Sequence, residues 1–266
     1  MEFRILGPLE AVDAGGEPVP LGGGKRRALL ADLLLNVNST VPVARLIDDL
    51  WGDTPPDTAT KAVQIYVSQL RKALPERIVQ TRSPGYILEL APERIDLYRF
   101  ERLAREGREA LASGAPERAS RLLSDAIALW RGTALAEFEE PFAQMERARI
   151  EELRLAAIEE RIEADLASGR HAELVGELDT LLRRYPLRER LHGQQMVALY
   201  RAGRQAEALA CYQNFRRQLD EELGIEPSQP LRELERQILQ QDTRLALSAE
   251  PLPRPQRAAR SASPGR

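Results

Sequence analysis

Apolar residues recur along this chain in rhythms that change from one stretch to the next. Between residues 57 and 74, Val63, Val67, Leu70 and Leu74 follow at spacings of four, three and four, the stripe of one helix face. The other face carries Lys61, Gln64, Ile65, Ser68, Gln69, Arg71 and Lys72. Asp57 is placed to cap this helix and Pro75 to stop it. Runs of strand formers at 78–81 and 86–90 then flank Arg82-Ser83-Pro84-Gly85, which predicts a tight hairpin with a positive charge at its tip. Upstream, 3–12 and 17–21 around Ala14-Gly15-Gly16 predict an opening β-hairpin. Residues 25–37 predict a helix with Leu29, Leu30, Leu33 and Leu34 inward, and 43–51 a second burying Leu46, Ile47, Leu50 and Trp51. Strands, three helices and a hairpin make an α+β domain over 1–92.

From residue 95 onward the period is almost wholly helical. The pattern predicts helices over 96–113, 116–130, 142–168, 171–184, 187–202, 204–223 and 229–241, separated by breakers such as Gly114-Ala115-Pro116, Gly169, Tyr185-Pro186 and Gly203. Ala167-Ser168-Gly169-Arg170-His171-Ala172-Glu173 recurs as Arg201-Ala202-Gly203-Arg204-Gln205-Ala206-Glu207, 34 residues on. That is the tetratricopeptide period, in which stacked helix pairs form an arc whose groove holds a peptide or protein surface. An ordinary helical bundle is the alternative. The expected organisation is therefore a domain at 1–92, a seam at Ala91-Pro92-Glu93, an all-α tetratricopeptide-like domain at 95–241, and a Pro-, Ser-, Ala- and Arg-rich disordered tail at 248–266.

Composition narrows the function. A chain of 266 residues with 43% hydrophobic and 30% charged residues has room for two globular domains. No apolar run approaches a membrane span, and no leader pattern opens the chain. The single cysteine, Cys211, excludes an internal disulfide and is expected as a small buried side chain in a reducing, cytoplasmic setting. Net charge is −3, and residues 1–92 hold 10 Lys and Arg against 11 Asp and Glu. Any nucleic-acid footprint must be a local patch, such as 57–90 with 5 basic and 3 acidic residues, or Lys25-Arg26-Arg27. The chain holds 35 Arg and 3 Lys, read as the codon bias of a GC-rich bacterial genome.

Catalytic signatures do not assemble. Gly22-Gly23-Gly24-Lys25 lacks the phosphate-loop spacing, with Val19 where a glycine is needed and Arg26 where Ser or Thr is needed. The turn reading leaves Lys25 and Arg26 as candidates for DNA phosphate. His171 and His192 have no partners at metal-ligand or nucleophile spacing, so packing or capping is expected of both. No metal or cofactor is expected. Glu137-Phe138-Glu139-Glu140 and Asp220-Glu221-Glu222 read as solvated faces, or alternatively as docking sites for a basic partner.

The run Val63-Gln64-Ile65-Tyr66-Val67-Ser68-Gln69-Leu70-Arg71-Lys72-Ala73-Leu74, then Ile78-Val79-Gln80-Thr81 and Gly85-Tyr86, resembles the recognition helix and wing of the OmpR/PhoB-type winged helix. The resemblance implies that Gln64, Ile65 and Gln69 face base edges. It places Lys61, Tyr66, Ser68, Arg71, Thr81 and Tyr86 near phosphates, with Lys72 on the same face and Arg82 on the wing. Gln69 stands where many relatives carry a basic residue, so their base preference does not transfer. The segments 188–196, 198–209 and 221–228 resemble the bacterial transcriptional activation domain. The two together, covering about 1–241, are similar to the small members of the Streptomyces antibiotic regulatory protein family, with no room in this sequence for a receiver, ATPase or sensor domain. That resemblance implies an activator of a secondary-metabolite gene cluster. Two protomers would occupy direct repeats near the −35 region and recruit RNA polymerase holoenzyme through its sigma and alpha subunits. The other reading is a protein-interaction adaptor whose winged helix binds protein.

Overall fold

The structure is a computed structural model that describes residues 1–75 and 78–245; the proposed tail at 248–266 lies outside the described residues. Internal contacts divide the chain into two compact units, 1–165 and 166–266.

The first unit opens with β1 (Glu2–Arg4) and β2 (Glu10–Val12), paired antiparallel in the register Phe3↔Ala11. The predicted partner strand at 17–21 contributes only a bridge from Pro18 to Val12. Pro18 and Pro20 withhold the N–H donors that a longer ladder needs. The run 3–12 instead folds back on itself. Helix α1 (Lys25–Leu35), strand β3 (Val41–Pro42), helix α2 (Val43–Trp51) and helix α3 (Ala59–Ala73) come next. Strands β4 (Val79–Arg82) and β5 (Gly85–Leu88) complete a three-stranded sheet in the order β3–β5–β4. Gly85 is required where β5 passes β3, because a Cβ there would lie 1.8 Å from the Val41 carbonyl oxygen. The N-terminus of α3 differs from expectation: Thr58, not Asp57, is the cap residue, and it makes no side-chain cap hydrogen bond.

A 3₁₀ turn at Pro92–Arg94 leads into α4 (Asp96–Ala112), α5 (Pro116–Ile127) and α6 (Pro141–Ala167). The second unit holds α7 (His171–Arg184), α8 (Glu189–Arg201), α9 (Gln205–Leu223) and α10 (Gln229–Leu239). Seven helices thus occur where the apolar period placed them, with α5 stopping three residues earlier than expected. Two of the glycine turns between helices share a build. At Gly114 and Gly203 φ is +77° and +76°, and the next residue's N–H reaches back across the helix end, Ala115 to Ala110 O and Arg204 to Leu199 O, both at 2.9 Å. This left-handed cap satisfies carbonyls that a helix end leaves open.

The seam at 91–93 is no free linker, because residues immediately beyond it are bonded to the N-terminal strands. Phe3 bridges Ile95 in parallel. Asp96, 5% exposed, accepts from the backbone N–H of Ile5 at 2.8 Å and Leu6 at 3.1 Å, with Arg131 Nη2 3.8 Å away. Burial pushes the Asp96 pKa up, and those two donors and Arg131 pull against it. Arg131 donates its own N–H to Leu6 O and its guanidinium to Pro8 O.

Candidate nucleic-acid interface

Helix α3 is buried along one line by Val63, Val67 and Leu70, and nothing described covers the opposite side. At about 100° per residue, Arg71, Gln64, Ser68, Lys61, Lys72, Ile65 and Gln69 follow in that order across an arc of about 160°. All seven are exposed. The helix contains no carboxylate, and among the described residues none pairs with Lys61, Lys72 or Arg82. The result is a cationic and amide-bearing face on a chain of net negative charge, with Thr81 and Arg82 exposed on the neighbouring hairpin.

The two flanks of that face are braced. On one side Tyr66 is half-buried and stacks on Trp51, centroids 6.5 Å apart. On the other, Arg71 Nε donates to Val79 O at 2.9 Å and Nη2 to Thr81 Oγ1 at 2.8 Å, and its guanidinium lies 5.9 Å from the centre of the Tyr86 ring. The other candidate contact residues sit in the following surroundings. Tyr86 is 8% exposed on the central strand, beneath Arg71, and supports the wing from below. Arg71 and Thr81 are exposed but committed to each other, so they fix the wing's distance from α3. Lys25 turns inward: its ammonium donates to Leu50 O and pairs with Glu140 at 3.2 Å. Arg26 folds its guanidinium over Gly22.

The acidic run at 137–140 also proves structural. Glu137 accepts from the Leu9 N–H at 2.6 Å and from the Arg27 guanidinium at 2.9 Å. The basic partner read as external is the start of α1 in the same chain. Asp220, Glu221 and Glu222 are exposed.

Between α1 and α2 sits a carboxyl pair that the sequence did not flag. Asp32 on α1 is 2% exposed; Asn36 Nδ2 donates to its Oδ1 at 3.0 Å, and its Oδ2 meets no donor among the described residues. Burial first, then the Asp49 carboxylate beside it, raises its pKa to about 7. Asp49, raised by burial, is pulled down by Arg45. A carboxyl whose folded pKa exceeds its unfolded value binds its proton more tightly when folded. Its stabilising proton is therefore present below about pH 4 and lost as pH rises to about 7. Asp32→Asn should leave stability unchanged at acid pH and raise it at pH 8, by at most about 4 kcal/mol. Melts followed by tryptophan fluorescence would test this, since Trp51 and Trp130 both lie in the first unit. An equal shift at pH 5 and pH 8 would refute it.

The remaining chemistry is quiet. Cys211 on α9 donates to Gln195 Oε1 at 2.9 Å, and burial pushes its thiol up to about 12, so it is no nucleophile. His192 stacks on Phe215 at 3.9 Å with Nε2 2.8 Å from Pro186 O, and burial lowers its pKa. His171 is the first residue of α7. Among the described residues no group of three His, Cys, Asp or Glu side chains is placed to hold a metal. No helix among them is long and apolar enough to cross a membrane.

Comparison with known proteins fits this arrangement. Residues 16–88 match the family described as "Transcriptional regulatory protein, C terminal", and residues 95–239 the "Bacterial transcriptional activator domain". Regulatory protein DnrI of Streptomyces peucetius is 39% identical over 91% of this chain and 93% of its own length. Regulatory protein AfsR of Streptomyces griseus is 43% identical over 95% of this chain, which spans only 26% of that longer relative. A solved structure of Mycobacterium tuberculosis EmbR in complex with a low affinity phosphopeptide superposes with a TM-score of 0.87 at 37% identity, over 90% of this chain and 65% of EmbR. A winged helix with a carboxylate-free third helix, followed by the activator-domain helices and matched nearly end to end by DnrI, places this chain in the Streptomyces antibiotic regulatory protein family of transcriptional regulators.

Proposed function

We propose that this chain is a sequence-specific DNA-binding activator. The observation that carries the reading is the exposed arc of α3: amides and cations with no carboxylate, flanked by the Tyr66–Trp51 stack and the Arg71 brace. An arc of this width suits the major groove, with Gln64, Ile65 and Gln69 toward base edges and Lys61, Ser68 and Lys72 toward phosphates. The hairpin brings Arg82 to the adjoining backbone, the one wing cation left unpaired among the described residues.

A single head with so few free cations binds modestly, and pairing along the DNA compensates. Two protomers on a direct repeat near the −35 region, held head to tail, are the arrangement the family suggests; such contacts join unlike surfaces. The helical part would then meet RNA polymerase holoenzyme at its sigma and alpha subunits, in the cytoplasm, at the promoters of a secondary-metabolite cluster. Relatives named as regulatory proteins and transcriptional regulators support the regulatory part of this reading.

A gel-shift titration against the upstream regions of neighbouring genes tests it. Log affinity should fall linearly with log salt, and a two-site fragment should bind much more tightly than either half-site. Gln69→Ala should relax the preference at one base pair by about 1–3 kcal/mol while other positions keep theirs. Binding without salt dependence, or none at all by a folded protein, would favour the adaptor reading.

A further inference from the structure

Ile65 is 46% exposed, the one large apolar side chain left exposed among the described residues before Met145. Single exposed apolar side chains are commonplace. This one is set apart by its surroundings. On a helix its surface neighbours lie three and four residues to either side. Those are Lys61, Ala62, Ser68 and Gln69, none acidic and all exposed except the half-buried Ala62. In the order of the arc Ile65 lies between Lys72 and Gln69, one position in from the Tyr66 flank.

We propose that Ile65 reads the 5-methyl group of a thymine in the major groove; this rests on the DNA-binding reading of α3. Among base edges in that groove the thymine methyl is the only apolar group, and every other feature is a hydrogen-bond donor or acceptor. A β-branched side chain on a helix is held in one χ1 rotamer, so Ile65 reaches the groove with little entropy left to lose. A protein partner suits this surface less well, because interface centres are built from clustered apolar and aromatic anchors and are depleted of charge. Here one isoleucine stands beside Lys61, Ser68 and Gln69, with Gln64 elsewhere on the same arc. Those glutamines carry the amide that pairs with adenine N6 and N7. The central step of each half-site is then A·T-rich, with the methyl read by Ile65 and an adjacent adenine by Gln64 or Gln69.

The experiment uses the full chain and duplexes selected from a random pool by the wild-type protein. Each thymine in the selected half-site is replaced in turn by deoxyuridine, which removes the methyl and leaves pairing intact. Wild-type affinity should fall about fourfold at one or two positions, the effect of removing one buried methyl group. Ile65→Ala, a substitution that suits an exposed helix position, should weaken binding to the thymine duplex by a similar factor and be indifferent to deoxyuridine there. Gln69→Ala should keep the deoxyuridine effect. If the wild type ignores every deoxyuridine, or Ile65→Ala still discriminates, the methyl-reading role is wrong while DNA binding stands. If the folded wild type selects no duplex, the DNA reading itself fails and this inference with it.

Discussion

Reversing Lys61 and Lys72 together, as Lys61→Glu with Lys72→Glu, is expected to lower affinity for DNA roughly 100-fold at physiological salt. Both ammonium groups lie in the exposed arc, and neither has a carboxylate partner among the described residues. In free protein they are solvated and contribute little, so the substitutions should leave the fold intact; against phosphate each becomes a repulsion. The double alanine variant separates charge from shape. It should lower the log–log salt slope by about two, one for each phosphate no longer neutralised, while leaving the ranking of sequences unchanged. Filter binding or fluorescence anisotropy over a salt series would read both effects. An unaltered slope would mean that these lysines do not face phosphate and that α3 docks in another orientation.

Asp96→Ala is expected to destabilise the first unit by about 2–4 kcal/mol. The carboxylate accepts from two backbone N–H groups, those of Ile5 and Leu6, and both residues are fully buried. Removing it strands both donors and leaves Arg131 with its remaining partners, Glu10 and the Pro8 carbonyl. Asp96→Asn, which keeps one acceptor oxygen, should cost about half as much. Urea unfolding monitored by tryptophan fluorescence reports on this unit alone, because Trp51 and Trp130 both belong to it. Equal stability of the alanine variant and the parent would show that the strands are held by their apolar faces without the carboxylate. The link matters for function as well as stability. It joins the strands of the winged helix to the first residue of the activator-domain helices, so the two are not connected there by a flexible chain.

The helices were legible because their evidence is local. A stripe such as Val63, Val67, Leu70 repeats within a few residues, and all three are buried as the spacing requires. The face left over was legible for the same reason, since residues out of phase with the stripe must point away from it. The 34-residue echo marked the turns at Gly169 and Gly203, where a positive φ follows from a glycine placed at a helix end. The opening hairpin was misread because strand formers at 3–12 and 17–21 look alike in sequence, whereas two prolines decide which run can pair.

By itself, then, the order of residues determined the element types and the outward side of α3, which follow from periodicity and turn chemistry over short spans, whereas the compact units divide at 165/166 and not at the seam near residue 92. Tertiary structure alone decided which polar groups are free. Lys25 and Lys61 look equivalent along the chain, yet one is consumed by Leu50 O and Glu140 while the other is exposed. Asp96 meets Ile5 across 91 positions, Glu137 meets Leu9 across 128, and Arg71 meets Thr81 only once the hairpin has closed. Partners so distant leave no periodic trace, because a hydrogen bond depends on where two backbones are brought in space and not on the spacing of the residues that make it.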